Sequence, residues 1–511
     1  MSGHAGMVRV FRQPFTGMAW LFLYIMKRNV IATFTWLGFA LMSCSAETPE
    51  ESNNPAPADT TAANKVAVWV TNGTQGKLLK SEQPLSIVKA GTVSPAANLI
   101  NIDFSTKLQE MEGFGAALTG SSAYLIQQKL NASQRENLLK DLFDPNTGIG
   151  MSYLRVTMGA SDFSLEDFTY NDLPAGQTDA ALSKFSIAKD QADLIPVLKS
   201  VLALQPSIRI MATPWSAPAW MKTSGKLAGG SLKPEWYGAY AQYFKKYLDA
   251  YQKEGITIDA ISVQNEPLHE AAYPSMGMDS AAQGNFIKNH LGPLFEANAI
   301  RTKILLYDHN WDRPGYPISI LNDPQASRYV AGSAFHAYGG NVSAMSEVHD
   351  RFPDKGLYFT EISGGRWATN FSDNLKWNMS NIFIGTANNW SKNALLWNIA
   401  LDENDGPKNK GCDNCRGVVT IASNGSITKN VEYYTIAHMS KFVRPGAFRV
   451  QTDRLSASSQ LEHVAFLNPD GSKVLVILNQ GADNRKFTVA VGKNQYSYTI
   501  DPNAVATLVW K

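Results

Sequence analysis

An α/β barrel of eight parallel strands, (β/α)8, with a β-sandwich fused to its side is the fold class that the sequence predicts. Three observations carry it. From about Met111 to residue 400, short apolar runs alternate with amphipathic helical stretches, the texture of repeated βα units. Eight runs qualify as strands, the number that closes such a barrel. Both chain ends have a different texture, short alternating runs divided by Gly/Asn turns, and a single short β segment needs partners to be stable. A length of 511 residues accommodates a large barrel with an appendage.

In chain order, residues 1–44 read as a targeting segment and 45–64 as a flexible tether. Met26-Lys27-Arg28 is a basic start, Val30 to Met42 an apolar stretch, and Leu41-Met42-Ser43-Cys44 resembles a bacterial lipobox with Cys44 as the lipidated residue. On this reading Met26 is the true start. The alternative is a membrane span that joins Trp20–Ile25 to the later run, although Lys27 and Arg28 would interrupt it. The stretch SAETPEESNNPAPADTTAAN holds no large apolar residue and cannot build a core. An exported bacterial lipoprotein is expected, anchored by Cys44 at the outer membrane or in the periplasm, or secreted.

Residues 65–106 are assigned to the first part of the sandwich, on runs such as Val66-Ala67-Val68-Trp69-Val70 and Leu99-Ile100-Asn101-Ile102. The barrel is assigned to 107–430. Its strands are expected at Met111–Leu118, Met151–Thr157, Ile208–Thr213, Ala260–Gln264, Ile304–Asp308, Gly332–His336, Leu357–Thr360 and Ala394–Ile399. Helices are expected at Lys189–Leu204, Pro234–Glu254 and Ala281–Asn298. Residues 431–511 are assigned to the rest of the sandwich, with Asn468-Pro469-Asp470-Gly471 as a hairpin turn.

Lys+Arg 46 against Asp+Glu 44 leaves a net charge of +2, and no basic block with interleaved aromatics occurs. Nucleic acid is therefore not an expected partner. Aromatic residues make up 11%, including Trp 12 and Tyr 19, which suits sugar rings but also ordinary cores.

Two strand ends carry the chemistry. Asp259-Ala260-Ile261-Ser262-Val263 leads into Gln264-Asn265-Glu266-Pro267, and Gly356-Leu357-Tyr358-Phe359 into Thr360-Glu361. A charged residue at the C-terminal end of a barrel strand faces the catalytic mouth. Here Glu266 ends the fourth strand and Glu361 the seventh. One such Glu more often forms a salt bridge or a cap; two across one pocket are what glycosidic cleavage requires. Pro267 argues that the element stops at Glu266. Trp215 follows the third strand, His309 and Trp311 the fifth, His336 and Tyr338 the sixth, and Trp397 the eighth, and each is expected to contact substrate. For Trp215 a core position is an equal alternative.

The pair Cys412 and Cys415 lies in Gly411-Cys412-Asp413-Asn414-Cys415-Arg416-Gly417. Such spacing serves redox chemistry, half a zinc site or a small disulfide. No further Cys or His pair lies nearby, and the loop does not open a helix. For an exported chain a loop-stiffening disulfide is expected.

The motifs Gly113-Phe114-Gly115-Ala116-Ala117-Leu118-Thr119, Tyr153-Leu154-Arg155-Val156, Asp162-Phe163-Ser164, Gln264-Asn265-Glu266-Pro267, Thr360-Glu361, Leu396-Trp397-Asn398 and Ser440-Lys441-Phe442-Val443-Arg444-Pro445-Gly446 occur in this order. Together they resemble glycoside hydrolase family 30, which holds glucosylceramidases and microbial β-1,6-glucanases. The resemblance implies retaining double displacement, with Glu266 as acid/base and Glu361 as nucleophile. It implies that Trp215, Asn265, His336, Tyr338 and Trp397 line the −1 sugar subsite and that Arg155 supports the nucleophile. It calls for no metal or organic cofactor. Animal-type glucosylceramidases carry Asp after the Thr of the first motif, whereas Gly120 follows Thr119 here, and the Cys412–Cys415 loop is more like the bacterial glucanase group.

The expected substrate is therefore a β-1,6-linked glucan or its oligosaccharides. A β-glucosidase, glucosylceramidase or β-xylosidase of the same family is the alternative, and an inactive carbohydrate-binding lipoprotein a remote one. Carboxyl groups ~5–5.5 Å apart are expected for retention, together with a raised pKa at Glu266.

Overall fold

The computed structural model describes residues 64–92 and 94–511. The targeting segment, Cys44 and nearly all of the tether lie outside the described residues. Among the described residues, no helix is long and apolar enough to cross a membrane.

Eight parallel strands close into a barrel: Gly113–Leu118, Tyr153–Thr157, Arg209–Thr213, Ala260–Ser262, Lys303–Asn310, Gly332–His336, Gly356–Glu361 and Ser391–Leu396. All eight predicted strands are present, with ends shifted by a few residues. Their near-continuous apolar sequences follow from burial on both faces. Tyr153, Met211, Ala260, Leu305, Ala334, Tyr358 and Leu395 fill the interior as one layer. Two residues further along most strands the interior turns polar, at Arg155, Thr213, Ser262, His336 and Thr360, all buried. That step from apolar to polar marks the catalytic end of the barrel.

The helices pack outside by their apolar stripes. In Tyr237–Lys253 the buried residues Tyr237, Tyr240, Ala241, Phe244, Tyr247, Leu248 and Tyr251 recur at helical spacing, and buried Tyr243 widens the stripe.

The sandwich is built from both chain ends. Lys65–Asn72 pairs antiparallel with Ala504–Trp510, which pairs with Lys473–Asn479, and that strand with Leu461–Leu467. Phe448–Thr452, Asn98–Glu110, Arg485–Val491 and Asn494–Ile500 continue the order. Asn468 to Ser472 makes the expected hairpin, with Gly471 at φ 80°. In Lys65–Asn72 the alternation resolves two faces: Val66, Val68 and Val70 enter the sandwich core, while Ala67 and Trp69 join the barrel's outer core. Lys473–Asn479 divides in the same way, with Leu475 and Ile477 against Val474, Val476 and Leu478. The sandwich is thus fused to the barrel through apolar contact.

One boundary differs from expectation. Val431–Ser440, assigned to the sandwich, is an α-helix with nine buried residues. It packs between the first barrel strand and the last sandwich strand, so it is apolar around most of its girth and shows no helical periodicity in sequence. His438 on this helix bonds Thr507 at 2.9 Å and Thr71 at 2.8 Å, which ties both chain ends to it. Burial lowers its pKa to about 3, so the ring is neutral.

Candidate active site

The mouth of the barrel gathers Glu266, Glu361 and His336. One oxygen of each carboxylate and a ring nitrogen of His336 lie within 4.8 Å of one another. Glu361 is the last residue of the seventh strand. The fourth strand ends earlier than expected, at Ser262, and Glu266 stands on the connection beyond it. Its backbone N–H donates to the Asp308 carbonyl at 3.0 Å, and Glu266 has φ 44°. Pro267 does not hold its predecessor in the extended region. The left-handed conformation is instead a local strain that the surrounding hydrogen bonds hold in place.

Arg155 is fully buried and organises the carboxylate side. Its guanidinium donates to Glu361, to Asn265 Oδ1 at 2.7 Å and to Asp308 Oδ2 at 2.9 Å. It also lies over the rings of Trp215 and Trp397, 4.9 and 5.4 Å from their centroids. The two indoles stack on each other at 5.1 Å. Tyr338 donates its hydroxyl to Glu361 Oε1 at 3.1 Å while its ring faces solvent.

Asp308 was not among the residues that sequence singled out, yet it is the hub. It is fully buried and accepts from Arg155, from Ser262 at 2.5 Å, Thr360 at 2.6 Å, His336 Nε2 at 3.1 Å and Thr213 at 3.3 Å. Burial opposes its charge, but Arg155 and the His336 contact outweigh burial and hold its pKa far below the carboxylate range. A charged residue closing the apolar run Ile304–Tyr307 was the available signal. A second omission is Asp162, whose Oδ1 is buried without a hydrogen-bond partner. Burial first, then the charges of Glu361 and Glu266, push its pKa well up.

His336 Nδ1 is 3.1 Å from Glu266 Oε1, and its Nε2 faces Asp308. Burial lowers its pKa, but Glu361, Asp308 and Glu266 raise it to about 9, so the ring is an imidazolium. This reverses the expected direction at Glu266. Burial raises its pKa, yet the hydrogen bond and charge of His336, with His309 and His269 adding to them, bring the net value below the usual one. Glu361 moves the other way: burial and Glu266 outweigh His336 and Arg155. His309 Nε2 lies 4.0 Å from Glu266, and burial lowers its pKa to about 4.

Trp311 is not brought to this cluster. Its ring is buried 5.5 Å from Phe359 among the side chains between strands and helices. It supports the wall from behind, a correction to its expected substrate contact.

Cys412 and Cys415 form a disulfide. Cys415 packs in a buried cluster with Phe163, Trp215 and Trp397. Cys415–Arg416 pairs with Gly364–Gly365, just beyond Glu361. Asn409 donates its backbone N–H to the Asp162 carbonyl at 2.7 Å. The loop therefore joins the segments that carry Asp162 and Glu361.

Comparison with known proteins agrees with this geometry. Residues 111–443 match the glycosyl hydrolase family 30 TIM-barrel domain, and 446–508 match the family 30 beta sandwich domain. An endo-1,6-beta-D-glucanase of Aspergillus fumigatus is 35% identical over 76% of this chain and 82% of that protein. The lysosomal acid glucosylceramidase of Mus musculus is 30% identical over 81% of this chain and 83% of its own. Among solved structures, the endo-beta1,6-glucanase BT3312 superposes with a TM-score of 0.81 at 34% identity, covering 87% of this chain and 99% of that one. With both domains matched and relatives aligned over most of its length, the chain belongs to glycosyl hydrolase family 30.

Proposed function

We propose that the protein is a retaining glycoside hydrolase that cleaves β-1,6-linked glucan or its oligosaccharides. The observation that carries this reading is the close approach of Glu266 and Glu361, within 4.8 Å between their facing oxygens. Inverting enzymes hold their carboxyls roughly 6.5–9.5 Å apart to admit a water, and so close an approach supports retention. Glu361 is the nucleophile: Arg155 and Tyr338 fix both of its oxygens, which favours the ionised form and aims it. Glu266 is the acid/base. In the free site its proton is stored next to it, on His336 Nδ1. A sugar that seals the site from water disfavours the imidazolium–carboxylate pair and moves that proton to Glu266, ready for the leaving oxygen. Asn265, His309 and Asp162 supply polar contacts for sugar hydroxyls. Trp215 and Trp397 form the floor.

The substrate reading rests on the glucanase relatives and on Gly120, which offers no side chain to a sugar hydroxyl. Incubation with β-1,6-glucan is expected to release β-1,6-linked oligosaccharides whose first-formed anomer, read by NMR, is β. An α anomer refutes retention. Equal or faster turnover of glucosylceramide refutes the glucan preference.

We also propose, from Leu41-Met42-Ser43-Cys44, that Cys44 carries lipid and tethers the enzyme to a membrane. Cells fed labelled palmitate should label the protein, and Cys44→Ala should abolish the label. An unlabelled parent protein overturns the anchor.

A further inference from the structure

Among the described residues, five large apolar side chains are markedly exposed: Leu165, Leu268, Tyr338, Trp367 and Trp377. Scattered singly over a surface, such residues need no explanation. These are not scattered. Leu165 follows the second barrel strand, Leu268 stands two residues beyond Glu266, Tyr338 follows the sixth strand and Trp367 stands six residues beyond Glu361. Only Trp377, at the end of helix Phe371–Trp377, lies away from the strand-end loops.

Trp367 stands out within this set. Tyr338 has a task at Glu361, whereas the Trp367 side chain makes no hydrogen bond or ring contact among the described residues. It is 55% exposed, yet its ring lies directly on Gly365, where an added Cβ would come within 2.0 Å of it. One side of the indole is therefore backed by backbone while the rest meets solvent.

The segment beneath it is fixed. Gly364–Gly365 pairs with Cys415–Arg416, and the Arg366 backbone N–H donates to the Asn414 carbonyl at 2.8 Å. The Arg366 guanidinium holds Asp405 at 3.0 Å, and Arg416 holds buried Glu432 at 2.7 Å. The Cys412–Cys415 disulfide closes the opposing loop. Holding a large apolar ring rigidly in water is unfavourable unless something covers it, and a pre-ordered ring loses little entropy when that happens.

We propose that Trp367 is the stacking platform of a distal subsite, which takes a glucosyl unit of the chain outside the two that flank the scissile bond. The inference rests on the glucan reading above. Continuity with the cleft identifies the occupant. The ring lies on Gly365, which pairs with Cys415, and Cys415 packs with Trp215 and Trp397 at the site. The indole therefore borders the cleft on the Glu361 side, and pyranose rings present apolar C–H faces to an indole.

The test compares kcat/KM on polymeric β-1,6-glucan with kcat/KM on an aryl β-glucoside, in the parent, Trp367→Ala and Trp367→Phe enzymes. In Trp367→Ala the polymer-to-glucoside ratio should fall about tenfold, equivalent to about 1.4 kcal/mol. Trp367→Phe should recover most of the ratio, because it restores an aromatic face. An unchanged ratio in Trp367→Ala overturns the platform, and so does an equal loss on both substrates. A parent enzyme active on the glucoside but not on β-1,6-glucan refutes the substrate reading instead. The same comparison on the β-glucan it does cleave then decides the role of Trp367.

Discussion

Replacing Glu361 by Ala should remove turnover of every substrate, by roughly 10⁴-fold or more, because no carboxylate is left to form the glycosyl-enzyme. Glu266→Ala should behave differently. With an activated aryl leaving group that needs little protonation, its first step should survive and the enzyme should stall as the covalent intermediate. Azide should then rescue Glu266→Ala and yield the β-glycosyl azide, since it attacks the intermediate from the face the leaving group vacated. Any azide rescue of Glu361→Ala should give the α product by a single inversion. The opposite pairing of products would exchange the two roles. The test is sharp because the residues sit so close together that position alone does not separate donor from attacker.

The second large effect belongs to Arg155. Its guanidinium faces Glu361, Asp308 and the Asn265 amide in a fully buried setting. Arg155→Met keeps much of the volume but leaves two buried carboxylates without their guanidinium partner, a change that costs ~3–5 kcal/mol in comparable pairs. Chemical denaturation should register that loss. The pH profile should move as well. Glu361 must be ionised to attack, its pKa is already raised by burial, and Arg155 is one of the groups pulling it back down. Without Arg155 the pKa rises further, so the acid limb of kcat/KM should shift to higher pH. A variant as stable as the parent with an unmoved acid limb would show that Arg155 does not set the charge of Glu361.

The eight barrel strands and both central carboxylates were legible in sequence because each strand is a short apolar run with a polar end. Asp308 was not, for a geometric reason. Alternation from Leu305 would place Tyr307 inward, but the fifth strand carries a bulge, with Tyr307 at φ 71° and Asp308 at φ 60°. The extra residue turns Asp308 into the barrel instead. Beyond that bulge, counting along the strand no longer tells inside from outside, and Trp311 lies in the wall rather than the pocket. The direction of the Glu266 pKa was not legible because its main partner, His336, comes from a distant strand that no local pattern links to it. Asp162 was visible inside a motif, but its unpartnered oxygen becomes evident only in three dimensions.

The pairing of the two chain ends fixes an order of events during biosynthesis. The strand Lys65–Asn72 leaves the ribosome long before the neighbour that covers its edge, Ala504–Trp510. At typical elongation rates the roughly 430 residues between them take about 20–90 s to synthesise. Throughout that interval the run Val66-Ala67-Val68-Trp69-Val70 has only the short strands Lys80–Ser81 and Leu85–Ser86 to pair with and lacks its long ladder to Ala504–Trp510. The barrel's local βα contacts can form within the growing chain, whereas the sandwich must wait for Ala504–Trp510. A product cut short before Ala504 therefore carries an uncovered strand edge, a natural handle for chaperones and proteases.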